Sequence, residues 1–176
     1  MPDLAPDPAV AHVSGPDMRE SYWQPVPANG HVDVALAPHL VGKMDHPFAL
    51  GTQSVAPGGY VREHTHEHNE EAVYVIEGHG RAVIDGTEHR LEPDSAVFLP
   101  KGVRHMFIND GETTLRWVWL IVPNGLEDFF RLIGKPRKPG DRVPSNFPRP
   151  DNVLEIERQT VFGADLTDKF DPVNNR

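Results

Sequence analysis

Three histidines and three glutamates fall within residues 64–71, at His64, His66, His68, Glu67, Glu70 and Glu71, and no other stretch is as rich in groups that could do chemistry. In an extended chain side chains alternate faces, so Tyr60, Arg62, His64 and His66 share one side of residues 60–66 while Val61, Glu63 and Thr65 share the other. Two imidazoles two residues apart can therefore reach a single ion. Glu71, at the start of the apolar run 72–76, can bring a carboxylate to the same point. A fourth ligand is available at His105, which follows a turn at Pro100 and Gly102 and shares a strand face with Phe107 and Asn109. Three neutral imidazoles and one carboxylate suit one divalent transition metal ion, whether Fe, Mn, Ni, Co, Cu or Zn, whereas Ca and Mg prefer oxygen alone. The chain has no cysteine, so any metal must be held by nitrogen and oxygen. Four ligands on an octahedral ion leave two adjacent positions open, which distinguishes a reactive site from a closed structural one.

Neighbouring residues compete for these roles. Slipping the strand by one residue exchanges its faces, which makes Glu70 the rival of Glu71 and otherwise leaves it solvent-facing or holding an imidazole. His68 continues the period-two series where the chain must turn, so it belongs either to the metal or to the rim. His31, His39 and His46 lack partners at ligand spacing and read as surface or turn residues. Arg62, on the ligand face, either receives a substrate anion or pairs with Glu77 or another acid at the barrel mouth. Tyr60, Val73, Val75 and Phe107 are expected to line the remaining wall, giving a mostly apolar pocket with few polar handles. Such a pocket suits an aromatic or enolisable compound better than a sugar phosphate.

The elements that must position these groups are short strands. Apolar runs at 48–55, 60–66, 71–77, 81–84, 87–91, 96–99, 103–108 and 115–122 are separated by turn residues, among them Asp85-Gly86 and Asp110-Gly111, which read as hairpins, and Pro93-Asp94, which reads as the centre of a type I turn. About eight antiparallel strands of this kind close into a jelly roll. Residues 31–36 read as an edge strand, and Trp117 and Trp119 share one face of a strand that is apolar on both sides apart from Arg116. After Pro123 the period changes. Asn124 and Glu127 resemble a capping box, Leu126, Phe129, Phe130 and Ile133 fall at helical spacing, and Gly134 is the stop, so one short amphipathic helix is expected outside the sheets.

Two motifs carry a resemblance to a known family. Gly58, five residues, His64, one, His66, four, Glu71, six and Gly78 resemble the first motif of the cupin superfamily; Pro100, one, Gly102, two, His105, three and Asn109 resemble the second. One departure is Asp94, where glycine is usual six residues before Pro100. The resemblance covers about residues 45–122 and implies an all-β fold, the double-stranded β-helix or jelly-roll barrel, here with a short C-terminal helix and extended arms. It also implies a metal site at His64, His66, Glu71 and His105 and a metal-dependent enzyme. The first expectation is a non-haem dioxygenase similar to the small cupins that act on flavonols, diketones or phenols, with Glu71 as a base. The alternatives are a lyase, isomerase or decarboxylase on the same site, or a cupin that binds a small ligand without turnover. Dimers are common in the family, and exposed sheet edges need cover, so a homodimer is expected.

Charge and composition narrow the partners. Seventeen Lys and Arg against 26 Asp and Glu give a formal net charge of −9, without a basic stripe, which argues against nucleic acid and for a small-molecule substrate. No apolar run is long enough to span a membrane and no leader pattern opens the chain, so a cytoplasmic protein is expected. Residues 1–20 read as a flexible arm, 21–123 as the barrel, and 124–176 as a helix followed by a Pro-rich, locally basic extension that wraps the barrel or reaches a neighbouring subunit. A second short helix between Asp151 and Gln159 is expected within that extension.

Overall fold

Residues 70–77 alternate between exposed and buried, with Glu71, Val73 and Val75 pointing in. That is the pattern of a strand with one face on a core, and it recurs along residues 115–122, where Leu115, Trp117, Trp119 and Ile121 are buried. The computed structural model describes residues 11–163. Among them, the strands are β1 (Glu20–Trp23), β2 (His31–Leu36), β3 (Ala49–Val55), β4 (Tyr60–His64), β5 (Glu70–Glu77), β6 (Gly80–Ile84), β7 (Thr87–Leu91), β8 (Ala96–Leu99), β9 (His105–Ile108), β10 (Leu115–Val122) and β11 (Lys135–Pro136). Three short α-helices join them: α1 (Pro38–Val41), α2 (Leu126–Ile133) and α3 (Val153–Gln159).

The strands form two antiparallel sheets, in the order β11-β1-β2-β3-β10-β5-β8 and β4-β9-β6-β7. Their inner faces meet in one core. The Trp117 ring lies 5.1 Å from that of Phe107 on the facing sheet, and the Trp119 ring lies 5.6 Å from that of Phe130 on α2. The two tryptophans are thus core residues. The fold is a double-stranded β-helix, as expected.

Several local expectations change. β2 is internal rather than an edge strand, because β1 pairs along its outer side and β11 pairs with β1 in turn. Asp85-Gly86 is a tight hairpin with φ of 46° and 80°, the two positive values that a type I′ turn needs. Asp110-Gly111 is not a hairpin, since β9 pairs with β4 and β6 while β10 pairs with β3 and β5. The chain there crosses between sheets, and Asn109 shapes the crossing by donating to the Val55 and Thr113 carbonyls and accepting from Gly111 N–H. Asp94 has φ of 75°, and with Pro93 before it this belongs to a type II turn rather than type I. An aspartate tolerates the left-handed region where glycine is usual.

The C-terminal part folds back on its own barrel. Lys135 and Pro136 pair with β1, and the Val26 N–H donates to the Phe147 carbonyl at 2.9 Å. In α2 the expected capping box is altered: Glu127 reaches back to the Gly125 N–H at 2.7 Å, but the Asn124 side chain donates to Glu127 instead of capping the helix. The second expected helix, α3, begins after Asn152 and ends at Gln159. The expected arm is described only from residue 11, and residues 164–176 of the expected extension lie outside the described part. Among the described residues no helix is long and apolar enough to cross a membrane.

Candidate metal centre

His64 and His105 stand opposite each other in the β4–β9 register. Three steps along β4, from Val61 to His64, match two along β9, from Phe107 to His105, so a bulge inserts one residue at positions 62–63. This corrects the simple alternation. Val61, assigned by period to the opposite face, points inward with His64, as Phe107 and His105 do. β4 ends at His64, so His66 is not part of the strand; a bridge between Thr65 and Gly163 carries the chain past it. Glu71 enters from β5 on the other sheet and is 4% exposed, whereas Glu70 faces solvent. His68 is exposed at the rim beside Glu67, and His31, His39 and His46 do not join the cluster.

One ligand atom from each of His64, His66, Glu71 and His105 lies within 4.8 Å of the others, and all four residues are buried. Their tautomers follow from the backbone. A carbonyl can only accept, so Nδ1–H of His64 donates to the Arg62 carbonyl at 2.8 Å, that of His66 to Val161 at 2.7 Å, and that of His105 to Val103 at 2.9 Å. A neutral ring protonated at Nδ1 presents a lone pair at Nε2. Nε2 of His66 lies 3.2 Å from Glu71 Oε2 and Nε2 of His105 lies 3.5 Å from it, the latter buried with no hydrogen-bond partner. Converging lone pairs and a carboxylate require a positive charge between them, so this donor set fits a divalent transition ion.

Electrostatics sharpen the point. Burial, followed by the neighbouring His105 and His66, pushes His64 well below the ordinary histidine value. Burial also acts against a charge on His66, but hydrogen bonding and charge from Glu71 outweigh it and raise that ring. Burial would raise Glu71, yet the His105 and His66 imidazoles beside its carboxylate prevail and hold it at about 2. A general base needs a value near the working pH, so Glu71 as it sits is a charge-bearing group of the cluster and is poorly matched to the base role expected of it.

An apolar cavity reaches the cluster. Of the residues expected to line it, Tyr60, Arg62 and Phe107 do. Val73 and Val75 are not among its lining; they lie in the closed core, fully or almost fully buried. Val61, Phe129, Phe130 and Phe162 supply aromatic and aliphatic wall that the alternation did not assign. The stripe Leu126, Phe129, Phe130 and Ile133 was legible, but α2 does more than pack outside the sheets, since that stripe forms one side of the cavity. Arg62 pairs with Glu157 of α3 at 2.6 Å and not with Glu77, and Arg149 reaches the same carboxylate oxygen at 3.2 Å. No periodicity or spacing marks Glu157, Arg149 or Phe162; each arrives from the segment that folds back.

A buried site of three imidazoles and one carboxylate, set between the two sheets of a double-stranded β-helix, defines a β-barrel of a type able to bind a metal. The family model described as "Cupin domain" matches residues 51–121. The tetracenomycin polyketide synthase protein TcmJ of Streptomyces glaucescens is 37% identical over 94 residues, which are 53% of this chain and 62% of that protein. Protein SchB of Streptomyces halstedii is 34% identical over 94 residues, 53% of this chain and 67% of its own. A quercetin 2,3-dioxygenase of Bacillus subtilis is 30% identical over 92 residues, 52% of this chain but 27% of that protein. A crystal structure of an RmlC-like cupin from Shewanella frigidimarina superposes with a TM-score of 0.51 at 18% identity, covering 65% of this chain and 92% of that one, and bears on the fold alone. The chain belongs to the cupin superfamily.

Proposed function

We propose that this protein is a metal-dependent enzyme acting on a small aromatic, phenolic or enolisable substrate, with dioxygenation as the first reading. The observation that carries it is the convergence of three Nε2 atoms and one carboxylate at the inner end of an apolar cavity. A bound transition ion would supply a Lewis acid for an enolate or phenolate oxygen and a place for dioxygen. The chain's own residues do the rest. Val61, Phe107 and Phe129 exclude water, which strengthens every charge interaction inside. Arg62 and Arg149, sharing one carboxylate, leave positive charge for the polar end of a substrate. The backbone carbonyls on Nδ1 hold the imidazoles in place before anything binds.

The relatives support the substrate class. A polyketide and a flavonol both carry carbonyl groups that enolise, and proteins named for each are similar to this chain. The polyketide synthase protein is the more similar of the two, at 37% identity against 30%, and its name specifies no oxygen chemistry, so lyase, isomerase or decarboxylase chemistry on the same site stands as the second reading.

The test starts from protein purified without chelator, with metal content and oxygen uptake measured against hydroxylated aromatics and 1,3-diketones. Retained transition metal and oxygen uptake that His105→Ala abolishes are the expected results. Turnover undiminished under strict anaerobiosis moves the assignment to the second reading. A ligand recovered unchanged identifies a binding protein, and failure to take up any transition metal overturns the proposal.

A further inference from the structure

Phe162 lies between two rings. It stacks on His64 with centroids 3.9 Å apart and planes 11° apart, and on Phe129 with centroids 4.2 Å apart and planes 3° apart. Three parallel rings in a row define a slot one ring thick, walled on one side by an imidazole of the metal cluster and on the other by a phenyl group of α2. The free space beside it is about 50 Å³. That holds a few water molecules, while pockets for drug-sized ligands run to roughly 300 Å³ or more. A planar substrate therefore has no room while the Phe162 ring is in place.

The far end of the cavity is polar and unbalanced. Arg62 and Arg149 both contact Glu157 Oε1, while Glu157 Oε2 is buried without a hydrogen-bond partner on a residue only 3% exposed. Two guanidinium groups on one carboxylate leave net positive charge, and a buried orphan acceptor is costly unless a donor meets it. A ligand that carries both an acidic group and a hydroxyl answers both conditions.

We propose that Phe162 occupies the position of the substrate's own ring. A planar hydroxylated aromatic compound enters by displacing the Phe162 ring from between His64 and Phe129, and its polar groups reach Arg62, Arg149 and Glu157. This rests on the reading of the cavity as the substrate site. The ring swings out while the main chain stays, because the Val161 carbonyl is held by His66 and Gly163 is bridged to Thr65 at 3.0 Å in both directions.

The test is calorimetric titration of full-length, metal-free protein with 3-hydroxy-2-naphthoate, which is planar and hydroxylated, and with adamantane-1-carboxylate, which is neither. Phe162→Ala is expected to bind the naphthoate on the order of tenfold more tightly than the wild type, since the probe no longer displaces a stacked ring. Adamantane-1-carboxylate gains nothing, and Phe129→Ala loses naphthoate affinity. Phe162→Leu keeps bulk without a plane, guards against a loosened fold, and shows a smaller gain. Unchanged or weaker naphthoate binding in both Phe162 variants, with native circular dichroism, overturns the proposal, as does an equal gain for the adamantane compound. Because metal is absent, a chain that binds the probe as expected but shows no turnover when loaded refutes only the enzyme reading. Turnover in the loaded wild type with no gain in the variants refutes only the slot.

Discussion

His64, His66 and Glu71 pull on protons in different directions, and the metal-free protein should show it. Burial lowers His64, so below the ordinary value of 6.5 the unfolded chain takes up a proton that the folded state refuses, and stability falls as pH drops. His66 is raised against its burial by Glu71, so its contribution is fully present below 6.5 and is lost as pH rises through its folded value. Glu71, held at about 2 against an ordinary 4.5, contributes above 4.5 and loses that contribution as pH falls towards 2. Urea unfolding with chelator present should therefore place maximum stability near pH 6.5. Metal requires neutral imidazoles and an ionised carboxylate, so in loaded protein the decline above this pH should vanish and the decline below it should steepen. A chelated protein whose stability rises steadily from about pH 6.5 to 8 would contradict the assignment of Glu71 as partner of His66.

Strands set the site because two of them meet in register, and their pairing depends on close approach elsewhere in the sheet. A Cβ added at Gly51 on β3 would lie 2.0 Å from the Asp33 carbonyl oxygen and 2.5 Å from the Trp119 ring. Gly51→Ala is accordingly expected to destabilise the fold by about 1–3 kcal/mol, read by chemical denaturation, with the tryptophan environment altered. Sequence made most strands legible, since turn residues bracket runs of period two, and it brought His64, His66, Glu71 and His105 forward through their spacing. It could not show the bulge at 62–63, because an extra residue changes no residue type. For that reason Val61 fell on the wrong face. Glu157 and Phe162 were invisible for another reason: their partners Arg62 and His64 are remote along the chain, and only tertiary packing joins them. Asp94 shows the reverse case, where a departure from glycine was seen but its left-handed backbone was not.

Taken as a whole, the molecule is covered unevenly. The outer face of β5, β8 and β10 leaves Phe98 62% exposed, with Tyr74, Ile76 and Val122 also exposed around it. These side chains form an apolar patch bordered by Glu70 beside Val122 and by Asp94 bonded to Tyr74, and two copies meeting on it would cover its apolar centre. The homodimer expected from sequence would use this face. Sedimentation should give twice the mass of 19.6 kDa, and Phe98→Asp should return a folded monomer; a wild-type monomer at high concentration would remove the interface without touching the metal centre.

The carbonyl that orients His66 belongs to Val161, 95 positions further along the chain. A ribosome releases the N-terminal part first, so all four candidate ligands leave it, and their strands can pair, before that carbonyl has emerged. Ion captured during synthesis would meet one imidazole still free to turn, and full loading of the centre should wait until Val161 has left the ribosome.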